Sequence, residues 1–211
     1  MGKIYIAIYE NKAHKFDDWA SCKQFIEKKK NIVYKGFTSV SESQEFIAKN
    51  IKKDIPFDLK DTLYMYVDGS VLKLKDETKV YGYGVCGVKN NEIVYEDCGY
   101  RSGDKTAESY QIGGELLGAL NGVEKAISLG EKRVIIVYDY FGIEMWANGT
   151  WKGKQGFVQD YIKKMNEYKE QINIDFVHVN SHTNNGTTES NFNNRADELA
   201  KEGCKKYQKE K

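Results

Sequence analysis

The chain has a single proline, Pro56, among 211 residues. That excludes collagen-like and proline-rich extended architectures. Cysteine is equally sparse. Cys22, Cys86, Cys98 and Cys204 stand far apart with no C-x-x-C spacing. Neither a zinc site nor a dense disulfide framework is indicated, and reduced, structural thiols are expected. Long apolar runs are also missing. The longest are strand-sized, such as Val134 to Val137, whereas a membrane-spanning helix needs about 20 apolar residues. The sequence opens Met-Gly-Lys and continues with alternating Ile and Tyr. It lacks the apolar core and small-residue cleavage site of a secretion signal, so a cytoplasmic location is expected.

No sign of charge dominates: 32 Lys plus Arg face 31 Asp plus Glu, a net of +1. The distribution is uneven. Residues 1–50 hold nine Lys against six acids, residues 201–211 hold five Lys against two, and the middle sums to −5. Basic ends around an acidic centre are compatible with phosphate contacts flanking a metal site, and equally with ordinary solvated surfaces. Hydrophobic residues make up 40% of the chain. That is a globular composition, with length for one or two domains.

The first 50 residues read as a small α/β unit. Ile4, Ile6 and Ile8 alternate with Tyr5, Ala7 and Tyr9, a strand pattern. Cys22, Phe25 and Ile26 share a helical face within 19–29, and 32–37 reads as a second strand. A short helix is expected over 41–49, with Ser41 as its N-cap and Gln44 three residues on. Residues 51–60, which contain Pro56, break the periodicity and read as a linker. Beyond it come strands over 63–68, 80–88 and 92–100, then a long helix from about residue 108 that stops at Gly130. A buried strand over 133–138 precedes helices near 140–148 and 155–170. A strand over 174–179 and a last helix from about Asn191 follow. Three consecutive strands, then strands alternating with helices, predict a mixed five-stranded sheet flanked by helices in an α/β fold. A basic tail over 207–211 closes the chain.

Four acids stand out. Asp68 is expected to end its strand and is followed by Gly69-Ser70; Asp139 directly follows the strand 133–138. Groups just beyond strand ends are where open sheets collect function. Glu115 follows Gly113-Gly114, two adjacent glycines each costing about 1 kcal/mol in a helix relative to alanine. They make sense where a helix must lie close against a sheet. Asp197 is placed in the first turns of the last helix, where the dipole alone favours an acid. Each acid taken singly has such an ordinary explanation, as a turn or a helix-end charge.

Taken in order, strand–Asp68-Gly69-Ser70, Gly113-Gly114-Glu115 on a long helix, strand–Asp139, and Asn193-Asn194-Arg195-Ala196-Asp197-Glu198-Leu199-Ala200-Lys201 resemble the type 1 ribonuclease H domain, over about 61–206. Gln111 to Glu115 and Tyr138 to Trp146 are similar to the bacterial branch. The resemblance implies an endoribonuclease that hydrolyses the RNA strand of RNA–DNA hybrids and leaves 5′-phosphate and 3′-hydroxyl ends. It implies Asp68, Glu115, Asp139 and Asp197 as ligands of two Mg²⁺ ions, with Mn²⁺ as a substitute. Two such ions about 4 Å apart activate water and stabilise the leaving oxygen, and Mg²⁺ favours carboxylate and water oxygens. The resemblance further implies His182 as a catalytic aid, and Gln111 and Asn193 as contacts to the nucleic acid. His182 precedes Asp197 by 15 positions, a longer spacing than is usual in the family. Ser181 stands where the family commonly has glycine, and the loop 183–190 is rich in Asn, Gly and Thr. The stretch Trp146 to Trp151 looks too short for the basic protrusion of some relatives.

In the first unit Tyr5, Trp19 and Tyr34 have an ordinary reading as core aromatics. Together with Tyr34-Lys35-Gly36-Phe37-Thr38 they resemble the hybrid-binding, or viroplasmin-like, domain over about 3–48. This implies that Tyr5, Trp19 and Tyr34 face the DNA strand and Lys35 the RNA, with Gly36 in place of a common second lysine and binding weakened accordingly. No protein partner and no membrane are implied, and a monomer is expected. The rival readings are an integrase- or resolvase-like nuclease and a non-catalytic or weakly active hybrid-binding protein of the same fold. The motif around Asp197 and the intact four acids argue against them.

Overall fold

Alternating β-branched and aromatic residues build the first sheet, and glycines on one inner strand and on one helix let two helices settle onto the second. The computed structural model describes residues 3–10, 12–51, 60–73, 79–102, 110–153, 156–179 and 188–210; for a few of these, Gln111 among them, only the backbone is described. The chain divides into two units, Met1–Ile55 and Pro56–Lys211.

In the first unit β1 (Ile4–Tyr9), β2 (Lys12–Phe16) and β3 (Val33–Phe37) form an antiparallel sheet in the order β2-β1-β3. The alternation of β1 serves two helices at once. Ile6 and Ile8 join Phe37 against Phe46 and Ile47 of α2 (Val40–Asn50). On the other face Tyr9, His14 and Phe16 gather around Phe25 of α1 (Trp19–Ile26), with ring centroids 4.4–6.4 Å apart. Strand β2 was not anticipated, because its Lys-Ala-His-Lys-Phe run carries little apolar signal. Glu10, with φ 50, makes the tight turn into it. Ser39, not Ser41, caps α2, its side chain accepting from the Glu42 N–H at 3.4 Å. The Ser-x-x-Glu spacing that marks such a cap begins two residues earlier than expected.

The second unit holds a five-stranded sheet in the order β6-β5-β4-β7-β8: β4 (Leu63–Lys73), β5 (Lys79–Lys89), β6 (Glu92–Ser102), β7 (Arg133–Tyr138) and β8 (Asn173–His178). β4, β7 and β8 run parallel; β5 and β6 are antiparallel additions. From Val134 to Tyr138 every β7 side chain is fully buried, as a parallel strand covered on both faces requires. α3 (Tyr110–Ser128) lies on the face of Met65 and Val67, which meet its Gly122 and Gly118. α6 (Thr188–Lys209) takes the opposite face, where Phe192 packs on Tyr66 at 5.5 Å. α4 (Gly142–Ala147) and α5 (Gly156–Lys169) complete the core through Ile143, Tyr161 and Met165. Gly130, at φ 74, ends α3 as expected, with the Glu131 N–H returning to the Ala126 carbonyl at 3.1 Å. Among the described residues no helix is long and apolar enough to cross a membrane.

The strand glycines are the joints of this unit. A Cβ at Gly84 would collide with the Ala196 carbonyl oxygen and stand 2.5 Å from the Ala200 nitrogen; one at Gly82 would collide with the Ala200 carbonyl oxygen. Both obstacles are backbone, so the helix itself would have to move. We expect Gly84→Ala to cost about 3 kcal/mol, the upper part of the overpacking range. Gly156→Ala, with nothing within 4 Å of the added atom, should stay within about 0.5 kcal/mol of the parent. Urea unfolding midpoints of the two variants check this; equal midpoints would refute the close-packing argument.

Candidate active site

Three of the four acids converge at one end of the sheet. Carboxylate oxygens of Asp68, Glu115 and Asp139 lie within 4.8 Å of one another. Asp68 sits inside β4 instead of ending it. β4 continues to pair with β5 as far as Lys73↔Lys79, while the parallel ladder to β7 stops at Tyr66↔Val137. The Asp-Gly pair is therefore no turn; it marks the point where β7 leaves its neighbour. The Gly69 N–H donates to Asp68 Oδ1 at 2.7 Å.

Glu115 reaches the same point from α3 because Gly114 brings the helix down onto the strands. A Cβ there would collide with the Gly82 carbonyl oxygen and stand 2.9 Å from Gly69 Cα. This is the close approach that the paired glycines implied. Asp139 is the first residue after β7 and is half-buried, while Asp68 and Glu115 are 7% and 2% exposed.

Burial, then the Asp139 charge beside it, pushes the Asp68 carboxyl up to about 7, with the more distant Asp197 adding a little. Glu115 is raised well above the usual carboxylate range, by burial first and then by Asp68 and Asp139. Glu115 Oε2 is buried with no hydrogen-bond partner, and no ion pair among the described residues involves the three acids. Three packed carboxylates, one with an idle oxygen and none in an ion pair among the described residues, form an all-oxygen donor set that fits a hard divalent ion.

Asp197 stands apart from that triplet. It lies mid-helix, because α6 starts at Thr188, three residues before the expected Asn191. The dipole of the first turn therefore does not account for it. Its Oδ2 accepts from Lys201 Nζ one turn on, at 2.6 Å, yet it is close enough to influence Asp68. Asn193, one turn before Asp197, is 8% exposed and its Oδ1 has no partner. Gln111 is on α3, one turn before Glu115, and its side chain lies outside the described residues, as do His182 and most of the loop after it.

Sequence reading missed two residues that touch the site. Lys201 was findable as the i+4 partner of Asp197. His178, whose ring meets the Asp139 carbonyl at 3.1 Å, becomes visible only once β8 is aligned on β7.

In the first unit Trp19 lies between Tyr5 and Tyr34, with centroid distances of 5.6 and 5.9 Å. Trp19 and Tyr34 are 42% and 48% exposed, so they form a surface strip and not a core. Asp18 caps α1 through the Ser21 N–H at 2.8 Å and thereby sets Trp19 as the first helical residue. Gly36, paired with Tyr5 across the sheet, leaves room for the Tyr5 ring; a Cβ would come within 2.9 Å of it. Lys35 does not join the strip. Strand alternation sends it to the other face, over the Phe37 ring at 5.5 Å.

The fold is thus an α/β mixed sheet with helices on both faces and clustered acids where its strands part. Residues 60–205 match the family described as RNase H, and residues 12–47 match the Ribonuclease H1 N-terminal domain. The chain belongs to the RNase H family and is a ribonuclease H. No curated protein matches by sequence. Among solved structures, RNase H1 from the archaeon Halobacterium salinarum is 19% identical at TM-score 0.51, over 67% of this chain and 96% of that one. A metagenomic RNase H1 from compost, LC11, solved with an RNA/DNA hybrid, is 21% identical at TM-score 0.55, over 70% and 99%. The RNase H domain of prototype foamy virus is 18% identical at TM-score 0.55, over 69% and 96%. At these identities the likeness is one of fold.

Proposed function

We propose that this ribonuclease H hydrolyses the RNA strand of RNA–DNA hybrids in a divalent-metal site and releases 5′-phosphate and 3′-hydroxyl ends. The observation that carries the reading is the triplet of Asp68, Glu115 and Asp139, two buried and one half-buried, within 4.8 Å. Asp197 is the fourth ligand, and two Mg²⁺ ions, replaceable by Mn²⁺, are the expected complement. When bound, they neutralise the scissile phosphate and lower the pKa of a water. The chain's own work is placement. β4 holds Asp68 within its ladder, Asp139 follows directly on β7, and Gly114 lets α3 deliver Glu115. Asn193 offers a buried amide and Gln111 lies one helical turn from Glu115. Gln111 is assigned to the RNA 2′-hydroxyl, the group that tells RNA from DNA, and Asn193 to a further nucleic-acid contact. His182 is assigned to proton handling or product release.

The test is an end-labelled hybrid beside duplex RNA and duplex DNA, each with and without Mg²⁺. Cleavage confined to the hybrid with Mg²⁺ supports the proposal; equal cutting of duplex DNA would end it. The Tyr5–Trp19–Tyr34 strip is assigned to holding the hybrid through its DNA strand, with Lys35 reaching the other strand from the opposite face. Stacking is worth about 1–3 kcal/mol per base. Trp19→Ala is therefore expected to raise the hybrid Kd roughly ten- to a hundredfold at constant salt, with kcat at saturating hybrid unchanged. An unchanged Kd would remove the strip from the interface. Four free, buried thiols suit a reducing compartment such as the cytoplasm, and the protein is taken to act as a monomer.

A further inference from the structure

The β7–β8 ladder runs from Arg133↔Asn173 to Tyr138↔His178, and one further bond, Val179 N–H to the Tyr138 carbonyl at 2.8 Å, closes it. Asp139 is thus the first residue of this strand end whose backbone no ladder bond holds. The His178 side chain occupies that place. A carbonyl can only accept, so at 3.1 Å from the Asp139 oxygen the ring must carry its hydrogen on Nε2 and donate it. The ring is itself fixed on two sides. Phe141 stacks on it at 3.9 Å and 11°, and Tyr138 meets it edge-on at 5.6 Å and 67°. Residues 138, 139 and 141 therefore all grip one imidazole contributed by another strand.

We propose that His178 is a positioning residue that sets the Asp139 carboxylate in the metal cluster by clamping its backbone; this rests on the reading of Asp139 as a metal ligand. A ligand displaced by about 0.5 Å leaves productive geometry, and a freed carbonyl permits such a displacement. Groups that orient metal ligands typically contribute about 10–100-fold to metal affinity or activity.

The experiment compares the full-length protein with His178→Phe, His178→Met, His178→Gln and Asp139→Asn. Mg²⁺ is titrated by thermal stabilisation, and kcat and KM are measured on a hybrid. The two variants without a donor should need about tenfold more Mg²⁺ for half-maximal stabilisation and lose kcat. Hybrid KM should hold within about twofold, because the aromatic strip of the first unit is untouched. His178→Gln, which keeps a donor, should recover to within about threefold of the parent. Parent-like Mg²⁺ midpoints in both donor-less variants would overturn the proposal. So would a glutamine variant no better than phenylalanine, or loss of a cooperative melt in EDTA by both donor-less variants. Asp139→Asn separates the two levels. If it still binds Mg²⁺ and cleaves, the metal-ligand reading fails. If it is inactive while the His178 variants match the parent, only the positioning role fails.

Discussion

Asp68→Asn is expected to abolish hybrid cleavage, by at least roughly 10³-fold, while making the metal-free protein more stable at neutral pH. The two effects share one cause. Asp68 is 7% exposed and crowded by Glu115 and Asp139 within 4.8 Å. Burial and the Asp139 charge hold its carboxyl at about 7. An amide of the same shape keeps the 2.7 Å bond from the Gly69 N–H. It also offers an N–H₂ to the neighbouring acids in place of a competing charge. The fold therefore loses a repulsion as the cluster loses a ligand. Removing that charge, which burial penalises first and Asp139 repels second, should raise stability in EDTA at pH 7.5 by up to about 4 kcal/mol. A residue that merely props the fold would behave the opposite way, losing activity together with melting temperature. Cleavage of an end-labelled hybrid and a melt in EDTA decide the matter. Activity within a few-fold of the parent refutes the catalytic assignment, and a lowered melting temperature refutes the electrostatic one.

Local pattern carried much of this molecule. β7 is readable because four consecutive β-branched residues, Val134 to Val137, in a short bounded run favour a buried strand, and Gly113-Gly114 pointed correctly to a helix lying on the sheet. What escaped was set by tertiary pairing. β4 runs five residues past Asp68 because β5 pairs with it throughout, and no periodicity in Gly69-Ser70-Val71 reveals that. β2 escaped because a two-helix sandwich needs few apolar residues on an edge strand. The role of Gly36 also reads differently in three dimensions. As a missing lysine it suggests weakened binding, whereas in the sheet it is the gap that lets Tyr5 lie beside Trp19. His178 stayed invisible because its partner Asp139 is 39 positions away and the contact is to a backbone atom.

The metal-free protein should lose stability as pH rises from about 4 to 7, and Mg²⁺ should restore it at neutral pH only. In the unfolded chain Asp68 titrates near the ordinary 3.8; in the fold it is held at about 7. Below pH 3.8 both states carry the proton and the site costs nothing. Between the two values the unfolded chain releases a proton that the folded chain retains, so the folded state binds more protons and stability falls with pH. A displacement from 3.8 to about 7 corresponds to roughly 4 kcal/mol, complete once pH passes 7. Glu115, raised by burial and by Asp68 and Asp139, acts in the same direction. A divalent ion binds the ionised, folded cluster and not the unfolded chain, so its stabilisation follows mass action and vanishes where the carboxyls are protonated. Other groups also titrate over this range. The useful quantity is therefore the difference in unfolding free energy between the parent and Asp68→Asn, followed from pH 4 to 8 in EDTA. It should favour the variant increasingly as pH rises and level off above 7, and 10 mM-scale Mg²⁺ should reverse it at pH 7.5 but not at pH 4.5. A difference that stays flat across this range would mean that neither burial nor the Asp139 charge penalises an ionised Asp68, and the cluster would have no electrostatic need of a divalent cation.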